Sequence, residues 1–354
     1  YVFISTNFKF SKIHKNLSLL LPTSGSMASL KYAKLTDLNL KFNSDKIKDY
    51  LNINTKDRSI TSMQPSYSYM LSIIHSHIDN GASLYVTKES LLQKKFWEEL
   101  KIKRITSFSG VPFMFELLLK LGIEKIKTNS IRVLTQAGGN LDKNIKFKII
   151  SFCKRNKLKF ITMYGQTEAS PRISYLDWKK ALSKNGSIGK NISDTKMWLV
   201  DTNDKKINSS YVEGEIIFKG KNVFGGYAYS YKDLNKIDKS NLLKTGDLAY
   251  FDKEGFYFIT GRKSKFAKVY GVRINLEELE QNLKIRKFES ACVNYKNHII
   301  IFVKKDDNKK KLLDLCSKIT GQNISIFKIK KIESFPRTSS GKISYQNLKE
   351  HIND

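Results

Sequence analysis

Between residues 60 and 165 the apolar positions fall in short blocks whose period switches between that of a strand and that of a helix. Ser83-Leu84-Tyr85-Val86-Thr87 reads as a buried strand, and Leu91, Leu92, Phe96 and Leu100 then mark an amphipathic helix. The same alternation predicts a strand end over 60–65, a largely apolar helix over 67–78 and a strand over 104–108. A helix over 113–121, a strand over 131–135, a helix over 142–154 and a strand over 159–163 follow. Strand and helix in strict turn argue a parallel sheet with right-handed crossovers.

After Pro171 the texture changes. Short apolar runs at 197–200, 215–218, 248–251 and 256–260 are separated by turn-forming stretches at 201–204 and 252–255. They predict a small antiparallel sheet or barrel. Beyond the basic run Gly261-Arg262-Lys263-Ser264-Lys265, the pattern reads strand (291–295), strand (299–303), helix (310–319), strand (325–330), preceded by a helix that starts at Asn275 with Glu278 three residues on. The expected class is α/β: a parallel sheet with flanking helices, plus the small antiparallel sheet or barrel, followed by a smaller α+β C-terminal lid domain. The expected boundaries are 1–170 for the parallel subdomain, 171–260 for the antiparallel one, 261–264 for a hinge and 265–354 for the lid.

Composition changes this picture little. A chain of 354 residues can hold two domains. It contains no apolar run of about eighteen residues, so no spanning helix is expected. The first 25 residues lack a Met and a small-residue cleavage site, and read as the interior of a longer protein. Cys153, Cys292 and Cys316 are far apart and without metal spacing, which fits buried, inert thiols in a reducing cytoplasm. His75 and His77 would share a face only on a strand; surface or pocket-lining histidines are the simpler reading. The net charge of +30 favours anionic partners. Its lysines are spread along the whole chain, however, as a general compositional bias would spread them. Lys309 to Lys311 and Lys328 to Lys331 read as a solvated turn and strand face.

Four stretches carry candidate chemistry. Thr23, Ser24, Gly25 and Ser26, with Lys31 five residues on, offer hydroxyls, backbone N–H groups and charge to phosphate oxygens. Gly138-Gly139 and Tyr164-Gly165-Gln166-Thr167-Glu168 both follow strands of the parallel sheet, where ligands of such sheets sit. The glycines would let backbone lie against a flat base, and Tyr164 would stack on it. Thr167 would donate to a phosphate and Glu168 would hold Mg²⁺ as a hard oxygen ligand. Asp247, after a Thr-Gly turn, can accept from a vicinal diol, with Arg262 holding the same sugar from the other side. Finally, Lys342 ends a mobile-looking Pro-Arg-Thr-Ser-Ser-Gly-Lys loop.

Taken together and in this order, the motifs resemble those of the adenylate-forming superfamily, which includes acyl-CoA synthetases, aryl-CoA ligases, luciferases and peptide-synthetase adenylation domains. The resemblance runs from about Leu17 to the end. It implies ATP-dependent activation of a carboxylic acid to an acyl-adenylate, with release of pyrophosphate. Thioester formation with coenzyme A or a carrier-protein pantetheine would follow. It implies ATP, Mg²⁺ and coenzyme A as cofactors, and Lys342 and Glu168 as catalytic groups. Ser264 would be the hinge, about which the lid turns to present Lys268 and Gly271 for the thiol step. Tyr67, Tyr69 and Met70 fall where the family builds its acyl pocket; no Asp stands there to hold an ammonium, which favours a plain acid over an amino acid. Departures are Met27, Ala28 and Leu30 in the phosphate loop and Ser264 at the hinge. The family also carries a further subdomain upstream of that loop. Two other readings stay open: a degenerate relative that only binds nucleotide, and a basic nucleic-acid-binding protein.

Overall fold

The computed structural model describes residues 12–23, 31–270, 272–304, 308–337 and 343–352. Two compact units divide the chain. The first takes in residues up to 258 except for Glu213–Glu215 and Gly246–Ala249; those two short pieces and everything from Ile259 onward form the second.

A seven-stranded sheet organises the first unit. Its spatial order is Ser83–Val86, Arg58–Thr61, Ser107–Gly110, Val133–Gln136, Lys159–Gly165, Arg172–Leu176 and Lys190–Asn191. The first five strands are parallel and the last two run antiparallel. The expected parallel sheet with helical crossovers is therefore present. The strands expected at 104–108 and 131–135 begin three and two residues late, and Arg104 shows why for the first. Its φ of 49° makes it the turn that ends helix Lys94–Ile102, so residues 104–106 lead into the strand rather than starting it. The core between sheet and helices is a run of phenylalanines. Phe96, Phe108, Phe115 and Phe160 meet edge to face at centroid distances of 6.2, 5.8 and 5.4 Å, an arrangement that suits the ring quadrupoles.

Helix α1 (Asp37–Leu51) lies where no element was expected, and helix α2 spans Ser68–Ile78. The buried face of α1 is Asn39, Asn43, Ser44 and Ile47, mostly polar, so apolar spacing does not reveal it. Its start is nevertheless written in the sequence: Thr36 Oγ1 accepts from the Asn39 N–H and Asn39 Oδ1 accepts from the Thr36 N–H. His75 and His77 lie on α2, two residues apart and so not on one face. His77 is buried with Nδ1 2.8 Å from the Ile73 carbonyl oxygen. Among the described residues no group of three or more His, Cys, Asp or Glu could hold a metal.

Strands Leu17–Pro22 and Tyr32–Thr36 form an antiparallel hairpin, completed by Tyr227–Ala228 on the far side of the second strand. A five-stranded sheet follows in the order Lys206–Ile207, Lys196–Val200, Gly214–Lys219, Leu242–Phe251 and Tyr257–Arg262.

Within the second unit, hairpin Phe266–Val269 with Val272–Asn275 precedes helix Leu276–Ile285. A three-stranded sheet of Ser290–Tyr295, His298–Val303 and Phe327–Lys331 is covered on both faces. Strand alternation divides its side chains. Cys292, Ile299 and Ile301 pack with Leu279, Leu283, Leu312 and Cys316; Ala291, Val293, Ile300 and Phe302 pack with Phe335 and Leu348. Lys309 to Lys311 are not a turn: they open helix Lys309–Thr320. All three cysteines are buried free thiols, and among the described residues no helix is long and apolar enough to cross a membrane.

Candidate functional site

The candidate residues of the first unit gather at the carboxyl end of strand Lys159–Gly165. Backbone packing fixes the turn there. A Cβ on Gly165 would stand 1.9 Å from the Pro171 carbonyl oxygen, so only glycine fits. The Gln166 N–H donates to that same oxygen, and Gln166 Nε2 donates to the Thr245 carbonyl at 2.8 Å and approaches the Tyr164 hydroxyl at 3.5 Å. The turn thus presents Thr167 and Glu168 in a short 3-10 helix. Thr167 Oγ1 donates to Ser68 Oγ at 3.1 Å, joining the motif to the start of α2.

Glu168 and Lys31 meet on one aromatic ring. The Tyr227 hydroxyl donates to Glu168 Oε1 at 2.7 Å, and Lys31 Nζ lies over the Tyr227 ring 4.0 Å from its centroid. Lys31 also closes its own loop, because its carbonyl accepts from the Thr23 N–H at 3.1 Å. Tyr227 was not among the candidate residues read from the sequence. Its pairing with Ala33 carries it into the site, and only that long-range register could have shown it. Beside it, a cavity of about 270 Å³ is lined by Lys34, Tyr227, Lys232, Asp233, Asn235 and Lys236. Lys34 Nζ donates there to the carbonyls of Asp233 and Lys236, and burial lowers its pKa against the pull of Asp233 and Asp238.

Gly138 has a φ of 85° and faces protein rather than open space. A Cβ there would come 2.2 Å from the Tyr67 hydroxyl, and one on Gly139 would come 3.2 Å from Pro112 Cγ. Tyr67 is half-buried, whereas Tyr69 and Met70 are core residues at 3% and 0% exposure. The Tyr69 hydroxyl bonds Thr135 Oγ1 at 2.9 Å, which in turn donates to Ser109 Oγ. Arg172, one residue past Pro171, is 2% exposed. Its guanidinium carbon lies 5.4 Å from the Tyr69 ring centroid. Burial pushes the phenols of Tyr50, Tyr67 and Tyr69 up to about 12, and the Arg172 charge opposes that rise at each. Sequence reasoning passed over Arg172, although a lone Arg directly after the Glu168 motif was the available signal.

In the second unit the arrangement is built on Glu215. One of its buried carboxylate oxygens accepts from the Gly246 N–H at 3.0 Å and the other pairs with Lys263 Nζ. This holds Gly246 and Asp247, which lie within strand Leu242–Phe251 rather than after a turn, beside the strand end that carries Arg262. Asp247 and Arg262 then pair directly, Oδ1 to Nε at 3.3 Å. Asn275 caps helix Leu276–Ile285 by accepting from the Glu277 and Glu278 N–H groups, while its Nδ2 donates to the Thr260 carbonyl. Gly261 is small because that amide lies against it: a Cβ would come 2.9 Å from Asn275 Nδ2. Ser24, Gly25, Ser26, Gly271 and Lys342 lie outside the described residues, and Ser264 and Lys268 are described in their backbone only.

A mostly parallel sheet flanked by helices, with an acidic motif at one strand end, and a second, α+β unit place the chain in the α/β class. The chain belongs to the AMP-binding enzyme family, whose model matches residues 10–228. It is 28% identical over 313 residues to the 2-succinylbenzoate–CoA ligase of Listeria innocua, a match covering 85% of this chain and 62% of the relative. It is 27% identical over 355 residues to a mitochondrial medium-chain acyl-CoA ligase of Mus musculus, covering 93% and 56%. The chain therefore spans less than two thirds of the length of these relatives. Among solved structures, o-succinylbenzoate CoA synthetase from Bacillus subtilis with its acyl-adenylate intermediate superposes with a TM-score of 0.77 at 23% identity, covering 93% of this chain and 68% of that one. The same enzyme with ATP and magnesium gives 0.75. These superpositions show the α/β fold expected of the adenylate-forming class.

Proposed function

We propose that the protein activates a carboxylic acid with ATP and passes the acyl group to a thiol. One observation carries the reading: the ring of Tyr227 joins the acidic residue of the strand-end motif to the lysine of the hairpin loop. A carboxylate ligand for a metal and a cation for phosphate are thereby held together, as nucleotide activation requires.

In the first step a carboxylate oxygen of the acid attacks the α-phosphorus of ATP. The bond to the bridging oxygen of the β-phosphate breaks, and pyrophosphate leaves. Lys31, Thr23 and Thr167 bind phosphate oxygens, with Ser24, Gly25 and Ser26 completing the loop. Lys342 stabilises the charge that develops at the α-phosphate. Glu168 and the neighbouring Thr167 are hard oxygen donors, and a single carboxylate fits Mg²⁺, which takes its remaining ligands from phosphate and water. When bound, Mg²⁺ would neutralise phosphate charge. Gly138, Gly139 and Tyr164 form the adenine site, Asp247 and Arg262 the ribose site. Tyr67 borders the acyl pocket, with Tyr69 and Met70 shaping its wall from behind.

In the second step a thiol sulfur attacks the acyl carbon, the bond to AMP breaks, and the thiol proton passes to solvent. A turn of the lid about Ser264 exchanges Lys342 for Lys268 and Gly271. Coenzyme A is the proposed thiol, a carrier-protein pantetheine the alternative. A cytoplasmic location is proposed on the buried thiols alone.

The deciding experiment is acid-dependent exchange of labelled pyrophosphate into ATP. Exchange is expected with some member of an acid panel and lost in Lys342→Ala with nucleotide binding kept. Nucleotide binding without exchange by any acid would instead favour the weakened relative that Met27, Ala28 and Leu30 suggest.

A further inference from the structure

The cavity beside Tyr227 gathers more positive charge than its own turn requires. Its volume is about 270 Å³, and Lys34, Lys232 and Lys236 stand around it against one acid, Asp233. Lys34 is 5% exposed and makes no ion pair among the described residues. Its Nζ donates to the carbonyls of Asp233 and Lys236 at 2.9 and 2.8 Å. Those bonds fix the turn over 233–236, but they end on neutral oxygens and use two of the three donors of an ammonium. A charge removed from water is normally met by an opposite one. The Asp233 carboxylate closes its own turn instead, its Oδ2 accepting from the Tyr229 and Ser230 N–H groups at 2.9 and 2.8 Å. Asp233 and Asp238 pull on the Lys34 charge without offsetting its burial.

Lys232 and Lys236 are exposed and likewise make no ion pair among the described residues. Ammonium groups gathered around one cavity repel one another, and a cleft lined mainly by one sign of charge concentrates the opposite ion. Apart from the Tyr227 ring the lining is polar, so its occupant is a small, highly charged anion. Tyr227 is also where the cavity meets the phosphate-handling groups: the same ring lies under Lys31 and the same hydroxyl holds Glu168. Backbone bonds keep the two places together. The Lys34 N–H donates to the Gly226 carbonyl at 3.0 Å, and the Gly225 N–H donates to the Lys34 carbonyl at 2.8 Å.

We propose that this cavity is a second oligophosphate site, which receives inorganic pyrophosphate as it leaves the neighbourhood of Lys31. This rests on the acid-activation reading, which supplies the pyrophosphate, and gives that product a station separate from the triphosphate of ATP. No bond is made or broken there. Lys34 offers its remaining N–H from a fixed position, while Lys232 and Lys236 add charge from the open side. The ionised Asp233 on the same lining limits how tightly the anion is kept, which suits a product that must depart.

The test titrates inorganic pyrophosphate into the full chain by calorimetry while a non-hydrolysable ATP analogue saturates the nucleotide site. Pyrophosphate is expected to bind as one equivalent per chain with the analogue in place. In the double variant Lys232→Ala, Lys236→Ala, which alters exposed side chains only, that affinity should fall at least about tenfold while the analogue binds as before. Exchange by the same variant should need more pyrophosphate for half-saturation and no more ATP. Lys34→Met should abolish the second binding; it also loses the bonds to 233 and 236, so the double variant decides alone if the methionine variant does not fold. Complete displacement of pyrophosphate by the analogue, or full affinity in the double variant, overturns the inference and leaves acid activation standing. A second equivalent of the analogue bound in place of pyrophosphate makes the cavity a nucleotide site and overturns it equally. Pyrophosphate bound beside the analogue, with no exchange by any acid, keeps the oligophosphate site and ends acid activation.

Discussion

Tyr227 serves two neighbours with one side chain, and the two contributions separate by substitution. Tyr227→Phe keeps the ring under Lys31 and removes the hydrogen bond to Glu168 Oε1. A bond to a carboxylate acceptor contributes on the order of 2 kcal/mol, so pyrophosphate exchange is expected to fall about thirtyfold. Tyr227→Ala also removes the face that holds Lys31 and should weaken ATP binding further. Exchange rates and ATP half-saturation for the two variants check this; equal defects would mean the hydroxyl matters and the ring does not. The residue scale also shows what sequence could and could not yield. Tyr164 to Glu168 were legible because they are contiguous, and their turn is enforced locally by Gly165 against Pro171. Tyr227 joins them through a strand register that no linear pattern displays, whereas Arg172 stood in plain sight four residues past Glu168 and only its burial was hidden.

At the scale of elements, the parallel sheet was readable because its strands and helices are apolar on their buried faces. Helix α1 was not, since it buries asparagine and serine against the loop after strand Gly214–Lys219. Asn39 Nδ2 there donates to the carbonyls of Lys221 and Val223. One polar cluster ties the sheet together at its other end. Asp57, just before strand Arg58–Thr61, accepts from Arg132 Nε at 2.9 Å and pairs again with its Nη2; it also accepts from Thr106 Oγ1. Three adjacent strands are thereby joined at their starts. Burial alone would raise the Asp57 pKa, but the Arg132, Asn54 and Thr106 hydrogen bonds outweigh it and the net shift is downward. Its stabilisation is therefore complete above the ordinary carboxylate range and drains as pH falls through the folded-state pKa, because the unfolded chain takes up the proton first. Asp57→Asn leaves Arg132 without its partner and is expected to cost about 3 kcal/mol near neutral pH. Urea midpoints followed from about pH 7 down to about pH 3 should show the gap between wild type and variant closing with acid. A gap independent of pH would assign the loss to packing.

For the whole molecule the governing quantity is charge, and here composition alone was a poor guide. Sixty-three basic against 33 acidic side chains give +30, a field that would suit nucleic acid as readily as a nucleotide. The fold distinguishes the two cases by distribution. Lysines occur on strands, helices and loops of both units, and several are paired: Lys46 with Asp194, Lys184 with Asp252 and Glu254, Lys244 with Asp204, Lys304 with Glu289. A dispersed field of this kind acts as a general attraction for small polyanions rather than as a groove for a duplex. Raising ionic strength from about 0.05 to 0.3 M shortens the screening length about 2.5-fold. It is therefore expected to raise the half-saturating ATP concentration several-fold while leaving the rate at saturation unchanged. Duplex DNA should compete with ATP only weakly and lose that competition as salt is added. Nanomolar duplex binding that ATP cannot displace would give the charge a different purpose. An ATP affinity indifferent to salt would give it none in nucleotide capture, because a field that acts on a polyanion over tens of ångströms cannot survive screening to a few.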